Sequence, residues 1–268
     1  MAKGERKLGE VADKLDVLVE VRDARAPFST SSPLMLGKSG LLRLKPVFLV
    51  LSKRDLADPD RTGVWLDNLR VGMSYTDVRA FDLRNDSVGS LISELLKLRP
   101  VHRSLRVGVV GIPNVGKSMF LNKLVGRSRA KVGGIPGITR EVGWYKGSGF
   151  LVVDSPGILD PHSEPGAHQI LSWLGCAKAD VVGGYENAAV GLIRFLRARL
   201  LWDRVTDVWG GLPDSDDALE MVGRRLGCLV AGGVVNRELA ARRFLESFAS
   251  GKLAPVTLEL PGEPIRAL

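Results

Sequence analysis

The amino-acid sequence predicts an α/β fold over about the first two thirds of the chain, followed by a small helical domain. Three observations support this prediction. Apolar segments of strand length alternate with segments of helical periodicity up to about residue 182. A glycine-rich loop lies between one of these strands and the next helix. From residue 183 onward, apolar residues recur at helical spacing. Since 268 residues suit two domains, we expect one at 1–182 and another at 183–268.

The strands and helices of the predicted first domain alternate along the chain. Apolar runs at 16–21 and 46–51 are typical of buried strands, and residues 77–81 form a weaker third. Helical patterns lie between and after them, near 61–71 and 88–98. This alternation favours a parallel sheet with helices on both faces.

Two further strands and three helices complete the predicted architecture. Residues 106–110 and 150–153 are typical of short buried strands, and the first of them is followed by apolar residues at helical spacing. Helical patterns then cover 187–200, 217–229 and 236–248, with breaks that contain glycine or proline. These last three patterns predict the small helical domain.

The chain has an excess of basic residues. It contains 38 Lys and Arg against 30 Asp and Glu, which gives a formal net charge of +8 and a pI of about 9.7. Such an excess suits a polyanionic partner such as RNA, or simply a soluble basic surface. Eight arginines decorate the predicted helical domain, and their planar guanidinium groups suit either phosphate recognition or an exposed helix face. They are Arg194, Arg197, Arg199, Arg224, Arg225, Arg237, Arg242 and Arg243.

Three features of the sequence bear on cellular location. Cys176 and Cys228 form no C-x-x-C pair and lie far apart, so we expect neither a disulfide framework nor a zinc site, and a reducing cytosol fits. No apolar run reaches the roughly 18 residues that span a bilayer. The basic start of the chain lacks the apolar segment of a signal peptide. We therefore expect a cytoplasmic protein with no membrane partner.

The glycine-rich loop carries the most specific motif of the chain. Gly111-Ile112-Pro113-Asn114-Val115-Gly116-Lys117-Ser118 fits G-x-x-x-x-G-K-[ST] at every fixed position. In such a loop, main-chain N–H groups point at phosphate oxygens, Lys117 reaches the β- and γ-phosphates, and the Ser118 hydroxyl ligates Mg²⁺. The helix that follows contributes its N-terminal dipole. A chance glycine loop is the alternative, and the strand and helix around the motif argue against it.

Two later segments match other parts of a nucleotide-hydrolysing site. Asp154-Ser155-Pro156-Gly157 follows a strand as D-x-x-G, which lets Asp154 reach Mg²⁺ and lets the Gly157 N–H sense the γ-phosphate. Between this motif and the phosphate loop, Gly134-Ile135-Pro136-Gly137-Ile138-Thr139-Arg140 could place the Thr139 hydroxyl on Mg²⁺ as part of a switch loop. The alternatives are a common D-x-x-G match and a turn that merely uses glycine and proline.

An earlier segment matches a base-recognition motif. Ser52-Lys53-Arg54-Asp55 follows the strand at 46–51 and resembles N-K-x-D, the guanine reader. In that motif the aspartate accepts hydrogen bonds from the N1 and N2 donors of guanine, and the lysine stem lies along the base. Asp55 would therefore select GTP over ATP. Ser52 replaces the usual asparagine with a hydroxyl that has a shorter reach and one donor.

The order of these motifs points to a family. In ordinary small GTPases the base reader comes last, whereas here it precedes the phosphate loop. This order resembles the circularly permuted GTPases, and the chain is most similar to the ribosome biogenesis GTPase A family. The resemblance implies a P-loop GTPase fold with circularly permuted motif order, plus a small C-terminal helical domain. Further matching segments are Met1-Ala2-Lys3-Gly4, Asp23-Ala24-Arg25-Ala26-Pro27, Ile158-Leu159 and Phe248-Ala249-Ser250-Gly251-Lys252-Leu253.

The resemblance also implies an activity and partners. It implies a cytoplasmic GTPase that binds GTP, GDP and Mg²⁺ and helps to mature the large ribosomal subunit. Hydrolysis is expected to be slow alone and stimulated by the ribosomal particle. The expected partners are the large-subunit precursor and its rRNA, with no DNA and no membrane, and the expected state is a monomer. Asn114 matches an asparagine that helps to hold K⁺ in potassium-stimulated relatives.

The motifs and the resemblance together imply roles for individual residues. The expected catalytic residues are Lys117, Thr139 and Gly157. The expected nucleotide-binding residues are Ser52, Lys53, Asp55, Asn114, Val115, Gly116, Lys117, Ser118, Met119 and Gly157. The expected Mg²⁺ ligands are Ser118, Thr139 and Asp154, with Asn114 as a candidate K⁺ ligand.

The chain departs from the family pattern in three ways, and it also lacks a glutamine that many other GTPases have. Ser52 replaces asparagine, and no Ser-Ala loop that would back the guanine is recognisable at Ala80-Phe81-Asp82-Leu83. Ile158 stands where many GTPases place a glutamine that orients water. The Gly-His pair that usually precedes Met-Ala-Lys is not in the sequence. These departures leave open a nucleotide-gated RNA-binding scaffold with little intrinsic catalysis and, less favoured, a P-loop ATPase or kinase.

Overall fold

A computed structural model of the chain contains two compact units. It describes residues 12–36, 45–72, 75–126, 143–154, 165–212 and 215–263. The first unit comprises the described residues of 12–55 and 59–154, and the second comprises 56–58 and those from 165 to 263.

A six-stranded sheet forms the centre of the first unit. Its strands are β1 (Val17–Asp23), β2 (Val47–Ser52), β3 (Asp77–Ala80), β4 (Leu105–Val110), β5 (Trp144–Lys146) and β6 (Phe150–Asp154). They lie in the order β3-β2-β1-β4-β6-β5. All neighbouring pairs are parallel except β5 and β6, which are antiparallel. The parallel strands confirm the sheet predicted from the sequence, whereas β5 is a short edge strand that the sequence analysis missed.

Helices connect the parallel strands, as the alternating pattern predicts. They are α1 (Pro33–Leu36), α2 (Pro59–Gly72), α3 (Gly89–Lys97) and α4 (Lys117–Val125). In α3 the buried residues are Leu91 and Leu95, four positions apart, so one face of this helix is buried. The mixed α/β fold expected from the sequence is therefore confirmed.

The central strands explain the continuous apolar runs in the sequence. Every residue of β1 and β2 is buried, because these strands have a neighbour on each side and are covered on both faces. Two charged residues of β1 share one face and neutralise each other: Arg22 Nε and Nη2 each lie 2.9 Å from a carboxylate oxygen of Glu20. The Tyr75 hydroxyl donates to the same carboxylate at 3.0 Å, so this buried pair is hydrogen-bonded as well as charge-matched.

The second unit is helical. Its helices are α5 (Pro165–Trp173), α6 (Tyr185–Ala198), α7 (Trp202–Thr206), α8 (Ala218–Arg225) and α9 (Arg237–Ser250). Asp217 and Asn236 cap α8 and α9, because their side chains accept the N–H groups of Glu220 and Leu239 at 3.0 Å. Helix α8 ends earlier than the predicted 217–229, since Gly227 adopts φ 64°. Each helix that the structure describes is too short or too polar to cross a bilayer.

Residues 56–58 pack with the helical unit although they lie far away in sequence. The Leu56 carbonyl accepts a hydrogen bond from the Val256 N–H at 3.1 Å, and the Asp58 N–H donates to Thr257 Oγ1 at 3.0 Å. Helix α5 also belongs to this unit. The assignment of nucleotide binding to 1–182 and of RNA contact to 183–268 remains a prediction.

Candidate functional site

The carboxyl ends of the parallel strands define the location of the site. Strand β1 pairs with β2 on one side and with β4 on the other, so the chain runs outward from β1 in opposite directions. In open α/β sheets, ligands bind outside the carboxyl ends of the strands at such a switch point. The phosphate loop follows β4, and the segment 52–55 begins at the last residue of β2. Both motifs therefore lie at the carboxyl ends of the strands on either side of β1.

The phosphate loop needs glycine at Gly111. This residue has φ 153°, and a Cβ placed on it would lie 2.5 Å from the main-chain oxygen of Val21 in β1. The loop therefore packs directly against a neighbouring strand. Asn114 and Gly116 have φ 60° and 98°, so two residues of the loop adopt left-handed backbone conformations before the helix. This backbone form is what lets successive N–H groups converge on an anion.

Lys117 and the start of α4 complete the phosphate-binding geometry. The Lys117 side chain is buried, and its Nζ donates to the Ile112 carbonyl oxygen at 2.6 Å, which holds the ammonium over the loop. The first intrahelical bond runs from the Phe120 N–H to the Gly116 oxygen at 2.9 Å. Ser118 and Met119 are exposed on the first helical turn, where N–H groups have no intrahelical acceptor.

Ser52 links the base-reading segment to the phosphate loop. It is fully buried, and its hydroxyl lies 2.9 Å from the Arg22 oxygen and in contact with the Val115 oxygen. Because a hydroxyl carries one hydrogen, it donates to one of these carbonyls at a time. The serine therefore connects the ends of β1 and β2 to the phosphate loop, despite its shorter reach than asparagine.

Lys53 and Asp55 differ sharply in their surroundings. Lys53 adopts φ 56°, and its Nζ forms an ion pair with Asp23 Oδ2 at 2.8 Å. Asp55 is exposed, and within the described ranges its side chain has no ion pair or hydrogen bond. The Asp55 carboxylate is thus available to accept two donors from a ligand, which is what guanine recognition requires.

A structured loop after β3 lies beside the base reader. The Arg54 N–H donates to the Phe81 oxygen at 3.1 Å, and the Arg54 guanidinium pairs with Asp86 at 2.9 Å. The buried Leu83 side chain lies 3.5 Å from the position that a Cβ on Gly116 would take. The loop at 81–87 therefore contacts both motifs, although it lacks the Ser-Ala sequence expected of a loop that backs the base.

Asp154 and Ser118 fit a magnesium ion bound together with phosphates. Asp154 ends β6 opposite Val109 of β4, the strand that leads into the phosphate loop, and it is partly exposed. Mg²⁺ is usually held by one or two protein oxygens together with substrate phosphates, and a carboxylate and a hydroxyl at one sheet edge suit that mode. The expected residues Thr139 and Gly157 lie outside the described residues, as does Ile158.

Sequence reasoning missed the part that β1 plays in the site. The main-chain oxygen of Val21 leaves no space for a side chain at position 111 of the phosphate loop. The main-chain oxygen of Ile112 accepts a hydrogen bond from Lys117. Main-chain contacts of this kind leave no mark on the sequence except the glycine at 111. Asp23 did carry a mark, since D-A-R-A-P directly follows a buried strand, but nothing in the pattern linked it to Lys53.

Comparison with known proteins agrees with this geometry. The family model described as 50S ribosome-binding GTPase matches residues 106–186. Ribosome biogenesis GTPase A of Priestia megaterium is 31% identical, over 98% of this chain and 95% of its own length. The protein of that name from Thermotoga maritima is 30% identical, over 97% and 91%. Mitochondrial ribosome-associated GTPase 1 of Mus musculus is 31% identical, over 97% and 88%.

Solved structures show the same fold. A GDP-bound structure of TM YlqF matches 96% of this chain and all of its own with a TM-score of 0.69 and 25% identity. GNP-bound YlqF from T. maritima matches 98% of this chain and all of its own with a TM-score of 0.66 and 25% identity. From the permuted motif order, the fold and these full-length relatives, the chain belongs to the ribosome biogenesis GTPase A family of circularly permuted GTP hydrolases.

Proposed function

We propose that the protein acts in maturation of the large ribosomal subunit and that the ribosomal particle stimulates its hydrolysis of GTP. The observation that carries this proposal is the convergence of the phosphate loop and the base reader at one sheet edge, linked through Ser52 and Val115. The relatives are named ribosome biogenesis GTPases, and the matching family model is described as 50S ribosome-binding. In such a family, we expect GTP binding and hydrolysis to act as a switch on the assembling ribosomal particle.

The described residues suggest how the nucleotide is held. Lys117, already held over the loop by Ile112, would lie between the β- and γ-phosphates. Asp55 would accept the N1 and N2 hydrogens of guanine. The main-chain N–H groups of Val115, Gly116 and Met119 would line the phosphates. Lys53 and Ser52 would lie near the base. These assignments fit the burial of Lys117 and the exposure of Asp55.

Metal ions complete the proposed site. Ser118 and Asp154 would hold Mg²⁺, which neutralises phosphate charge, with Thr139 as a further hydroxyl ligand and Gly157 as the N–H that senses the γ-phosphate. Asn114 is exposed at φ 60° in the phosphate loop, where an amide oxygen could ligate K⁺. A potassium dependence of hydrolysis that disappears in Asn114→Ala would support this role, and equal rates in K⁺ and Na⁺ would contradict it.

Unassisted hydrolysis should be slow because the chain lacks one expected group. Ile158 has no polar atom that could orient the attacking water. GTPases without stimulation turn over on the order of 10⁻⁴ s⁻¹, and a stimulating partner raises the rate by supplying or ordering such groups. We assign that stimulation to the large-subunit precursor.

The arginines of the helical unit are unequal candidates for rRNA contact. Four form ion pairs: Arg199 with Glu263, Arg224 with Glu220, Arg237 with Glu186 and Asp217, and Arg242 with Glu246. Arg197 and Arg243 donate to main-chain oxygens. Arg194 and Arg225 are exposed, and among the described residues neither guanidinium has a hydrogen bond or an ion pair. We therefore propose Arg194 and Arg225 as phosphate contacts.

Charge removal tests this RNA surface. The variant Arg194→Ala/Arg225→Ala should bind rRNA more weakly and lower the slope of log affinity against log salt by about two, one per phosphate contact. The control Arg224→Ala/Arg242→Ala removes the same charge from arginines that already have carboxylate partners and should change the slope by about half as much or less. Equal slopes for the two double variants would contradict the assignment.

A GTPase assay tests the main proposal. GTP cleavage is measured in potassium buffer with and without purified large subunits, for the wild type and Lys117→Ala. We expect the particles to raise the rate of the wild type at least tenfold, as a stimulated GTPase requires. We expect no such rise in Lys117→Ala. No rise with any ribosomal particle would contradict the proposal. If GTP changed binding to the particle without being cleaved, the scaffold that Ser52 and Ile158 leave open would take its place.

The remaining expectations concern state and location. We propose a cytoplasmic monomer with no DNA or membrane partner, because its proposed partner is an rRNA particle. Sedimentation velocity should give a single species near 29.0 kDa, the mass of one chain. A species of twice that mass at micromolar concentration would contradict the monomer.

A further inference from the structure

The segment Asp23-Ala24-Arg25 contains a buried charge cluster to which the nucleotide site proposed above assigns no role. Asp23 is the last residue of β1 and has no exposed surface. One carboxylate oxygen accepts the Arg25 N–H and Nε at 3.0 Å each, and the other accepts Arg25 Nη2 at 2.8 Å. The second oxygen also lies 2.8 Å from Lys53 Nζ. A single buried carboxylate thus faces two cations.

The two cations have different surroundings. Arg25 is 1% exposed, so it is a buried counter-ion that offsets the cost of placing the Asp23 charge in the interior. Burial raises the pKa of Asp23, but the charges and hydrogen bonds of Arg25 and Lys53 outweigh it and hold that pKa well below its usual range. The Asp23 carboxylate is therefore ionised in the folded protein at neutral pH. Since Arg25 already pairs with it on both oxygens, the fold alone does not require Lys53.

Lys53 carries a conformational cost that the ion pair offsets. Its side chain is 23% exposed, and its backbone adopts φ 56°, a region that few residues other than glycine occupy. Such strain persists only where the surroundings fix it. Ser52 lies opposite Asp23 in the β1–β2 register, so the residue after Ser52 begins beside the Asp23 carboxylate. The strand pairing therefore fixes the backbone end of the Lys53 side chain, and the ion pair with Asp23 fixes its ammonium end.

We propose that Asp23 is a positioning residue for guanine-nucleotide binding, which holds Lys53 by its ammonium so that the lysine stem is presented to the purine ring. Asp23 itself touches no nucleotide, and Arg25 keeps it charged. The inference rests on the proposed nucleotide site. It makes the D-A-R-A-P segment, which begins at the last residue of β1, part of the base-binding apparatus.

A double-mutant cycle tests whether Asp23 acts through Lys53. GDP affinity is measured by calorimetry for the wild type, Asp23→Asn, Lys53→Met and the double variant. We expect each single substitution to weaken GDP binding about tenfold, and the double variant to be no weaker than Lys53→Met, because coupled residues are not additive. Losses that multiply, or a GDP affinity that Asp23→Asn leaves unchanged, would overturn the proposal.

A control and a second variant keep the result interpretable. Asp16 also forms a two-point ion pair with an arginine, Arg103, at 2.6 Å, but at the opposite end of β1. Asp16→Asn should leave GDP affinity unchanged. If Asp23→Asn does not fold because Arg25 is left unpaired, the same cycle is measured on Asp23→Asn/Arg25→Gln, in which no buried charge lacks a partner.

The nucleotide site is checked separately from this inference. Asp23→Asn should keep the wild-type preference for GDP over xanthosine diphosphate, since Asp55 still reads the base. If the wild type itself shows no such preference, the proposed site fails. If the wild type prefers GDP but the cycle is additive, only the role of Asp23 fails.

Discussion

The same substitution at two glycines of the first unit should have opposite effects. At Gly111, a Cβ would lie 2.5 Å from the Val21 oxygen, 3.2 Å from Val115 Cγ2 and 3.3 Å from Lys117 Cδ. At Gly63, in α2, a Cβ would meet nothing within 4 Å. Gly111→Ala therefore adds a methyl group where there is no space, and Gly63→Ala is its matched control.

The magnitude follows from these distances. Relief of a 2.5 Å contact to an ordinary separation requires a shift of about 0.9 Å. The phosphate loop has to move, because the Val21 oxygen belongs to a central strand with a neighbour on each side. Overpacking of this kind costs about 1–3 kcal/mol of unfolding free energy. A displacement of this size in a binding loop should weaken GDP binding by about tenfold or more. Gly63→Ala should stabilise by about 0.5–1 kcal/mol, because alanine favours a helix interior over glycine.

Two assays decide between these outcomes. Urea unfolding gives the free-energy changes, and calorimetric titration with GDP gives the affinities. We expect Gly111→Ala to lose both stability and GDP affinity, and Gly63→Ala to gain stability with unchanged affinity. A Gly111→Ala protein that binds GDP as tightly as the wild type would refute the argument that this loop packs against β1.

Three further predictions follow from the hydrogen bonds and charges of the described residues. Ser52→Ala should lower the unfolding free energy by about 1 kcal/mol, because it removes a buried hydrogen bond of the hydroxyl, and it should weaken GDP binding. Ser52→Asn should tighten GDP binding. An unchanged GDP affinity of Ser52→Asn would show that the contact of the serine with Val115 compensates for the missing asparagine. Asn236→Ala should lower the unfolding free energy by about 1 kcal/mol through loss of the α9 cap, and an unchanged melting temperature would contradict that cap. Because the folded protein lowers the pKa of Asp23 from its ordinary value of 3.8, the ionised carboxylate stabilises the fold above pH 3.8, and this stabilisation is lost progressively as the pH falls below that value. Asp23→Asn should therefore cost more unfolding free energy at pH 6 than at pH 3. An equal cost at both pH values would contradict the ion pairs.

The fold was predictable where the sequence pattern is long and regular. The apolar runs at 17–21 and 47–51 are buried on both faces, so their composition alone marks them as central strands. Strand β5 has three residues, of which Trp144 is the buried one, and this is too short to show a period. The packing of residues 56–58 with the helical unit depends on contacts with Val256 and Thr257, some 200 positions away, which no local pattern reveals.

The candidate site was predictable in its motifs but not in its connections. The spacing of Gly111, Gly116 and Lys117 has a direct chemical meaning and can be read without a structure. The contact of Ser52 with the Val115 oxygen, in contrast, joins residues 63 positions apart. The ion pair between Asp23 and Lys53 likewise depends on the alignment of β1 with β2, which a single sequence does not give.

The central claim is that Asp55 reads guanine in a site shared with the phosphate loop. The most direct test is a calorimetric titration of the wild type and Asp55→Asn with GDP and with xanthosine diphosphate, which carries an acceptor oxygen where guanine has its 2-amino donor. We predict that the wild type binds GDP and discriminates against the xanthosine nucleotide, and that Asp55→Asn reverses this preference because an amide can donate to that oxygen. An Asp55→Asn protein that still prefers GDP would contradict the account.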